Sequence, residues 1–434
     1  MFRKCALAAC FLALVWWPAV LSAQAHSLWV LQKPNRAVEY DPNTFAVRQT
    51  LQVPPQIFNR PEDLSINSKG QMLFPLNLAE MSGESVAQKF WIWTGSTAQT
   101  LVRSATRKTS DDGQRLTVAV PHPLLCADGN HLLWYQNSFQ RQLKDGLDRS
   151  QVTTFRVSLT DLSGDREQPV AEFGFPACEC ATGACEETCP EAQVWAPARG
   201  VDRFLLVTNW IPGQIQSTFQ STGLYQQTEQ GWVHRQLSQP LEQILDAARS
   251  GEWILASEPD AGCCGWANES DDRTLLVRGA ESLVVYDEFQ HYDNRNYDVS
   301  FFTADARLSP SLTMAAYTID ATPLPEGSDI RRSLDGKPNS SELAHIQKAL
   351  LDLPVVKVVT LTNPVKTVHK LPHSLLLGWV DDRRVLLLQP GRQNRDDVVV
   401  LDVADGALRP TGISVDRPGQ RYSQDRLRGY VFVR

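Results

Sequence analysis

An all-β fold is what three observations in this 434-residue sequence predict. Short apolar strands recur in pairs, each pair closed by a tight polar or Gly/Pro turn. The pairs return every 50 to 70 residues along the chain, the mark of a repeat architecture. Composition fits a packed core, because 42% hydrophobic and 21% charged residues with 26 Pro and 25 Gly exclude both a disordered chain and a coiled coil. Four short antiparallel strands per repeat make the blade of a β-propeller. The expectation is a single propeller over residues 26–434, with seven blades inside an allowed range of six to eight.

Residues 1–25 read as a secretory signal peptide. A positive start at Arg3-Lys4 precedes an apolar run from Cys5 to Leu21 and the triplet Ala23-Gln24-Ala25, so cleavage is expected after Ala25, before His26. No later stretch approaches 18 uninterrupted apolar residues, so no membrane span is expected in the mature chain. The expected location is periplasmic or extracellular. Removing Arg3 and Lys4 takes the formal charge from −7 to −9, which argues against a nucleic-acid partner.

The first unit supplies only three strands, LWVLQ, RAVEYD and FAVRQTLQV, between Leu28 and Val53. Its fourth is expected from Gly429-Tyr430-Val431-Phe432-Val433, which would pair beside the first strands and remove an exposed edge. Six hairpins follow: LSINSKGQMLFPL from Leu64, LLCADGNHLLWYQ from Leu124, VWAPARGVDRFLLVTN from Val194, ILDAARSGEWILASE from Ile244, ARLSPSLTMAAYTI from Ala306 and LLLGWVDDRRVLLLQ from Leu375. Second strand pairs follow most of them, as in FWIWTGSTAQTL from Phe90, TTFRVSLTDLSG from Thr153, TLLVRGAESLVVYD from Thr274 and VVKVVTLTNPVKTVHKL from Val355. The last unit has Asp397–Val403, the turn Ala404-Asp405-Gly406, and a resumption at Ala407. Residues 323–353 interrupt the sixth unit. There Asn339 and Glu342 make a capping box ahead of Leu343, Ile346 and Leu350 at helical spacing, with Pro354 as the stop. A short surface helix is expected, packed on the disc or presented to a partner.

Seven of the nine cysteines survive cleavage. Between the third and fourth units, loop 176–190 holds Cys178, Cys180, Cys185 and Cys189 in C-x-C-x4-C-x3-C spacing. An oxidising compartment favours disulfides, and the Cys178–Cys180 spacing is too close for an ordinary zinc knuckle; a metal or free thiols are the lesser readings. Four cysteines allow three pairings. Loop 259–272 carries Cys263-Cys264 between Gly262 and Gly265, followed by Trp266, Asn268 and Glu269. One reading bonds one of the two to Cys126. A second is a vicinal disulfide, a rigid apolar plate serving a ligand or partner site, and a third is a reactive thiol. Oxygens cluster at Asn268, Glu269, Ser270, Asp271 and Asp272, and again at Asp293, Asn294, Asn296 and Asp298. Neither matches a spaced Ca2+ loop, so solvated acidic loops are expected, with Ca2+ the lesser reading and no other metal.

Motifs that would carry chemistry are missing. No window shows G-x-S-x-G, H-E-x-x-H, G-x-x-x-x-G-K-[ST] or G-x-G-x-x-G. The histidines His122, His131, His234, His291, His345, His369 and His373 are scattered and read as hydrogen-bonded strand or loop residues. Trp91, Trp93, Trp134, Trp195, Trp210, Trp232, Trp253 and Trp379 fall on or beside expected strands, where they fill gaps between blades.

The strand-turn-strand units resemble the TolB-type and WD-repeat-like propellers of secreted bacterial proteins. LWVLQKPNRAVEYDPNTFAVRQTLQVP resembles the opening blade of NHL- or YVTN-type propellers. The repeated Trp-Asp dipeptide is absent, and Ala127-Asp128-Gly129 and the LSPS from Leu308 are the nearest matches to the SPDG turn. The resemblance implies a rigid disc whose loops bind something. In secreted quinone-dependent propellers a vicinal disulfide stacks on the cofactor, a role for which Cys263-Cys264 and Trp266 are the matching residues. The expectation is therefore a monomeric, non-catalytic scaffold binding a protein, peptide or other ligand, with no cofactor and no catalytic residue assigned. The alternative is a propeller-type hydrolase, lyase or quinone-dependent dehydrogenase with its site near loop 259–272.

Overall fold

The structure, a computed structural model, describes residues 27–67, 69–77, 85–109, 115–126, 128–142, 149–174, 192–195, 203–208, 221–228, 231–236, 244–247, 253–257, 274–278, 281–286, 291–294, 297–321, 341–416 and 431–433. Among the described residues it is all-β apart from one helix and two short 3-10 turns, with antiparallel pairing throughout the described sheets. One four-stranded sheet runs β29 (Val431–Val433), β1 (Leu28–Gln32), β2 (Arg36–Tyr40), β3 (Val47–Gln52). The next has eight strands in chain order: β4 (Ser65–Ile66), β5 (Met72–Pro75), β6 (Ser85–Trp93), β7 (Ala98–Thr109), β8 (Arg115–Leu125), β9 (His131–Gln142), β10 (Arg149–Asp161) and β11 (Gln168–Gly174). Two further four-stranded sheets are β12 (Ala192–Trp195) to β15 (Gly231–Gln236), through β13 (Arg203–Thr208) and β14 (Ser221–Thr228), and β16 (Ile244–Ala247) to β19 (Glu281–Tyr286), through β17 (Ile254–Ser257) and β18 (Thr274–Arg278). A five-stranded sheet holds β20 (His291–Asn294), β21 (Tyr297–Leu308), β22 (Met314–Ala321), β23 (Val355–Thr360) and β24 (Lys366–Leu371). The last holds β25 (Leu375–Trp379), β26 (Arg384–Pro390), β27 (Arg395–Asp402) and β28 (Leu408–Asp416).

All six hairpins expected from the sequence are antiparallel pairs, namely β4–β5, β8–β9, β12–β13, β16–β17, β21–β22 and β25–β26. The pairing of the last strand with the first is also present, with Leu28 opposite Val433, Trp29 opposite Phe432 and Val30 opposite Val431. A helix α1 (Ser341–Asp352) lies within the sixth unit, and Ala349, Leu350 and Leu353 at its end pack on an apolar cluster. The Asn339 cap falls outside the described residues.

Separate four-stranded blades do not hold throughout. The units starting at Leu64 and Leu124 are one continuous sheet, because the end of β7 pairs with the start of β8 from Thr106 opposite Ala119 to Thr109 opposite Leu116. The cause is strand length: β7 to β10 have 12, 11, 12 and 13 residues. At about 3.3 Å per residue they run roughly 40 Å, about twice an ordinary strand, and so extend past their own group into register with the neighbouring one.

Strands here read as continuous apolar runs because both faces are covered. In β26, Val385 and Leu387 pack with Val356, Val358, Leu376 and Trp379, while Leu386 and Leu388 pack with Leu28, Val30, Val400 and Val431. Successive side chains of one strand therefore fill two different sheet-to-sheet interfaces. The same split places Met72 and Phe74 beside Trp29 and Leu73 beside Phe90, Leu132 and Trp134. Ala306, Leu308 and Tyr317 meet Leu245, Leu255 and Leu276 of the preceding sheet. Each fully buried Leu or Val contributes about 1.5–3 kcal/mol of transfer free energy, so the sheets are held face to face mainly by these layers.

Candidate functional site

Strands alternate in direction along each sheet, so successive connections leave alternately from two sides. With the eight-stranded sheet divided after β7, β29 counted ahead of β1 and β20 set aside as an extra strand before β21, the first-to-second and third-to-fourth connections share one side, and every one of them has seven residues or fewer. Hydrogen bonds join these short turns to one another, within the eight-stranded sheet and between other sheets. Asn67 Nδ2 donates to Cys126 O at 2.9 Å and to Gln71 Oε1 at 2.7 Å, and Gln71 Nε2 donates to Gly129 O at 2.9 Å and Thr94 O at 3.0 Å. Ser311 N donates to Asp382 Oδ1 at 2.6 Å, and Arg384 Nη2 to Asn43 Oδ1. Between the sheets of β16 and β21, Leu308 N donates to Asp246 Oδ2 at 2.8 Å and Arg307 Nη1 to Leu245 O at 2.9 Å. These bonds set the linked sheets with their short turns on a common side. Gly70 shows how tight that side is: its φ is +73°, and a Cβ there would stand 3.3 Å from the Trp29 ring.

The second-to-third and group-to-group connections leave from the opposite side, and the long ones are all of this kind. Residues 175–191 follow β11, 258–273 join β17 to β18, 322–354 with α1 join β22 to β23, and 417–430 lead from β28 to β29. The extended parts of β6 to β10 project toward this side too, since the end of β7, the start of β8, the end of β9 and the start of β10 all lie there. On β7, Val102, Ser104, Thr106 and Lys108 are exposed while Leu101 and Ala105 are buried, so one face of this projecting wall is open. Sequence reasoning missed the wall. The signal was present in the unbroken strand-like runs of residues 98–109 and 149–161, twice the ordinary strand length.

Of the cysteines, Cys126 is described. It is a free thiol, 3% exposed. It closes β8 beneath the 126–131 turn, where burial and then the nearby Asp128 charge push its pKa up to about 12. Cys178, Cys180, Cys185, Cys189, Cys263, Cys264, Trp266, Asn268 and Glu269 lie outside the described residues, as do Ser270, Asp271, Asp272 and Asn296. What is established for loop 259–272 is where it leaves and returns, between the second and third strands of its sheet.

Three of the described histidines make contacts within the fold. His122 stacks on Tyr135 at 5.0 Å and 20°, and burial lowers its pKa while raising that of Tyr135. His131 Nδ1 sits 2.6 Å from Asp128 Oδ2, but the other carboxylate oxygen accepts the backbone N–H groups of Asn130 and His131, so the pair locks a turn. His369 Nε2 donates to Val403 O at 2.7 Å. Trp91, Trp134 and Trp379 are buried, with Trp134 Nε1 donating to Thr160 Oγ1 at 2.8 Å and Trp379 Nε1 to Arg307 O at 3.0 Å. Trp93 and Trp253 are half-buried against apolar clusters. Among the described residues no group of three or more His, Cys, Asp or Glu is placed to hold a metal ion, and no helix is long and apolar enough to cross a membrane.

No protein-family model matches the chain, and no curated protein does. The solved structures to which the chain is similar include a β-propeller domain. The β-propeller domain of the Trilobed protease from Pyrococcus furiosus is 13% identical over 89% of this chain and 95% of that one, with a TM-score of 0.40. The WD40 domain of SCAP from fission yeast is 9% identical over 88% and 80%, with a TM-score of 0.33, and TolB from Acinetobacter baumannii 11% over 87% and 77%, with a TM-score of 0.31.

Proposed function

We propose that this chain is a seven-bladed β-propeller, secreted to the periplasm or cell exterior with its signal removed after Ala25, which acts as a non-catalytic scaffold for a protein or peptide partner. Counting the eight-stranded sheet as two groups and adding β29 to β1–β3 gives seven groups of four or five strands. The observation that carries the reading is the division of connections by parity: those of one parity are all short, and several of them bond to one another, while those of the other include every long connection and the overrunning ends of β7 to β10. A rigid frame that spends its variable chain on one face has the layout of a binding surface. Loop 259–272, with Cys263, Cys264, Trp266, Asn268 and Glu269, is the proposed contact segment on that face.

The test is chemical cross-linking in the native host with two variants. One replaces 259–272 by a Gly-Ser linker of equal length, and the other changes Asp382→Ala and Asn43→Ala on the short-turn side. Binding on the proposed face requires that the partner band vanish with the first variant and persist with the second. If the loop variant instead keeps its partner, the reading fails. A turnover activity or a non-peptide native mass lost with loop 259–272 would replace it by the enzyme alternative.

A further inference from the structure

We propose that β29 is an exchangeable strand, and that the β1 edge beneath it is a strand-binding site able to take residues 431–433 of a second copy of this chain. This does not rest on the proposed function.

The pairing is short and the site beneath it is deep. Three residue pairs join β29 to β1, against five between β1 and β2. Leu28, Trp29 and Val30 are each 0% exposed, and Val431 lies in the same apolar cluster with Val398, Val400 and Val415. A segment of three residues held by few pairs opens at low cost compared with the strands around it. Once open, β1 presents unsatisfied N–H and C=O groups beside apolar side chains, and such an edge binds extended chain. The occupant follows from what is already seated there, because residues 431–433 are the sequence that fits this edge in register. The 14 residues 417–430 between β28 and β29 can span up to about 50 Å when extended, enough to reach a neighbouring molecule. Mutual exchange places the same strand on the same edge in both copies and yields a two-fold dimer.

The experiment uses the full-length mature protein. Affinity-tagged and untagged copies are incubated together at high concentration in mild urea and returned to buffer. In parallel the single variants Val30→Cys and Val431→Cys are mixed and oxidised, and the double variant is oxidised alone. Exchange predicts retention of untagged copy on the tag, rising with concentration and falling several-fold when the peptide Gly-Tyr-Val-Phe-Val-Arg is in excess. It also predicts a covalent dimer whose linked peptides contain positions 30 and 431. No retention of untagged copy overturns the proposal even if the cysteine variants fail to fold. Cross-linking within single molecules of the double variant, with no dimer from the mixed single variants, overturns it too.

Discussion

Cys126 is a free thiol at the end of β8, only 3% exposed. At pH 8 a thiol with a pKa near 12 is almost wholly protonated, so iodoacetamide should label Cys126 after denaturation and not before. Labelling of the native protein at this position would contradict its burial. Gln71 joins three turns at once, so Gln71→Ala removes the partner of one Asn67 Nδ2 hydrogen and of two backbone carbonyls. Urea denaturation should show a loss of about 1–3 kcal/mol with an unchanged slope. Acid acts through several groups. The backbone N–H groups of Thr44 and Asn43, then Arg48, hold Asp41 down to about 2, and the Arg383 hydrogen bond holds Asp402 below the usual carboxylate range. Folded values below unfolded ones mean that this stability is present above about pH 4 and is lost as pH falls toward 2. His122, lowered by burial, acts earlier, because the unfolded chain takes up its proton first below about pH 6.5. The urea midpoint should decline in these two stages, and Asp402→Asn should flatten the lower one.

Among the elements, turn chemistry made the hairpins legible: Ser68-Lys69-Gly70, Asp128-Gly129-Asn130 and Asp381-Asp382-Arg383 each separate two apolar runs. The helix was legible from Leu343, Ile346 and Leu350, three apolar residues at one periodicity. Three features were not. The pair β14–β15 has the polar strands STGLYQQT and GWVHRQ, whose composition does not mark them, and β20 is the four-residue HYDN. Joining β7 to β8 depends on which strands meet in space, and a strand's sequence names no partner. Because β26 fills two interfaces, Leu387→Ala should open a cavity in one of them. The expected loss is about 2–5 kcal/mol by urea denaturation, with the secondary structure retained in circular dichroism. A change under about 1 kcal/mol would show that the sheets do not pack as described.

For the whole molecule, fold was far more legible than function, and the reason is physical. Repeat packing is written in every strand, whereas a binding surface is written in a few connections whose partner the sequence does not contain. The cysteine segments 176–190 and 259–272 could be located between named strands, but their pairing depends on distances that spacing alone does not set. The parity of the connections adds what composition could not: both cysteine segments and the α1 insertion are connections of the parity opposite to the short turns, the parity at which β7 to β10 also overrun their group. The central claim, a scaffold that binds by that side and carries no cofactor, is tested most directly by intact mass. The mature protein, purified from its own host, is measured native and denatured, for the natural chain and for the chain with 259–272 replaced. The account predicts equal native and denatured masses for the isolated chain, and a partner of peptide mass retained by the natural chain and lost by the replaced one. A non-peptide mass present in the native spectrum and lost on denaturation would contradict it.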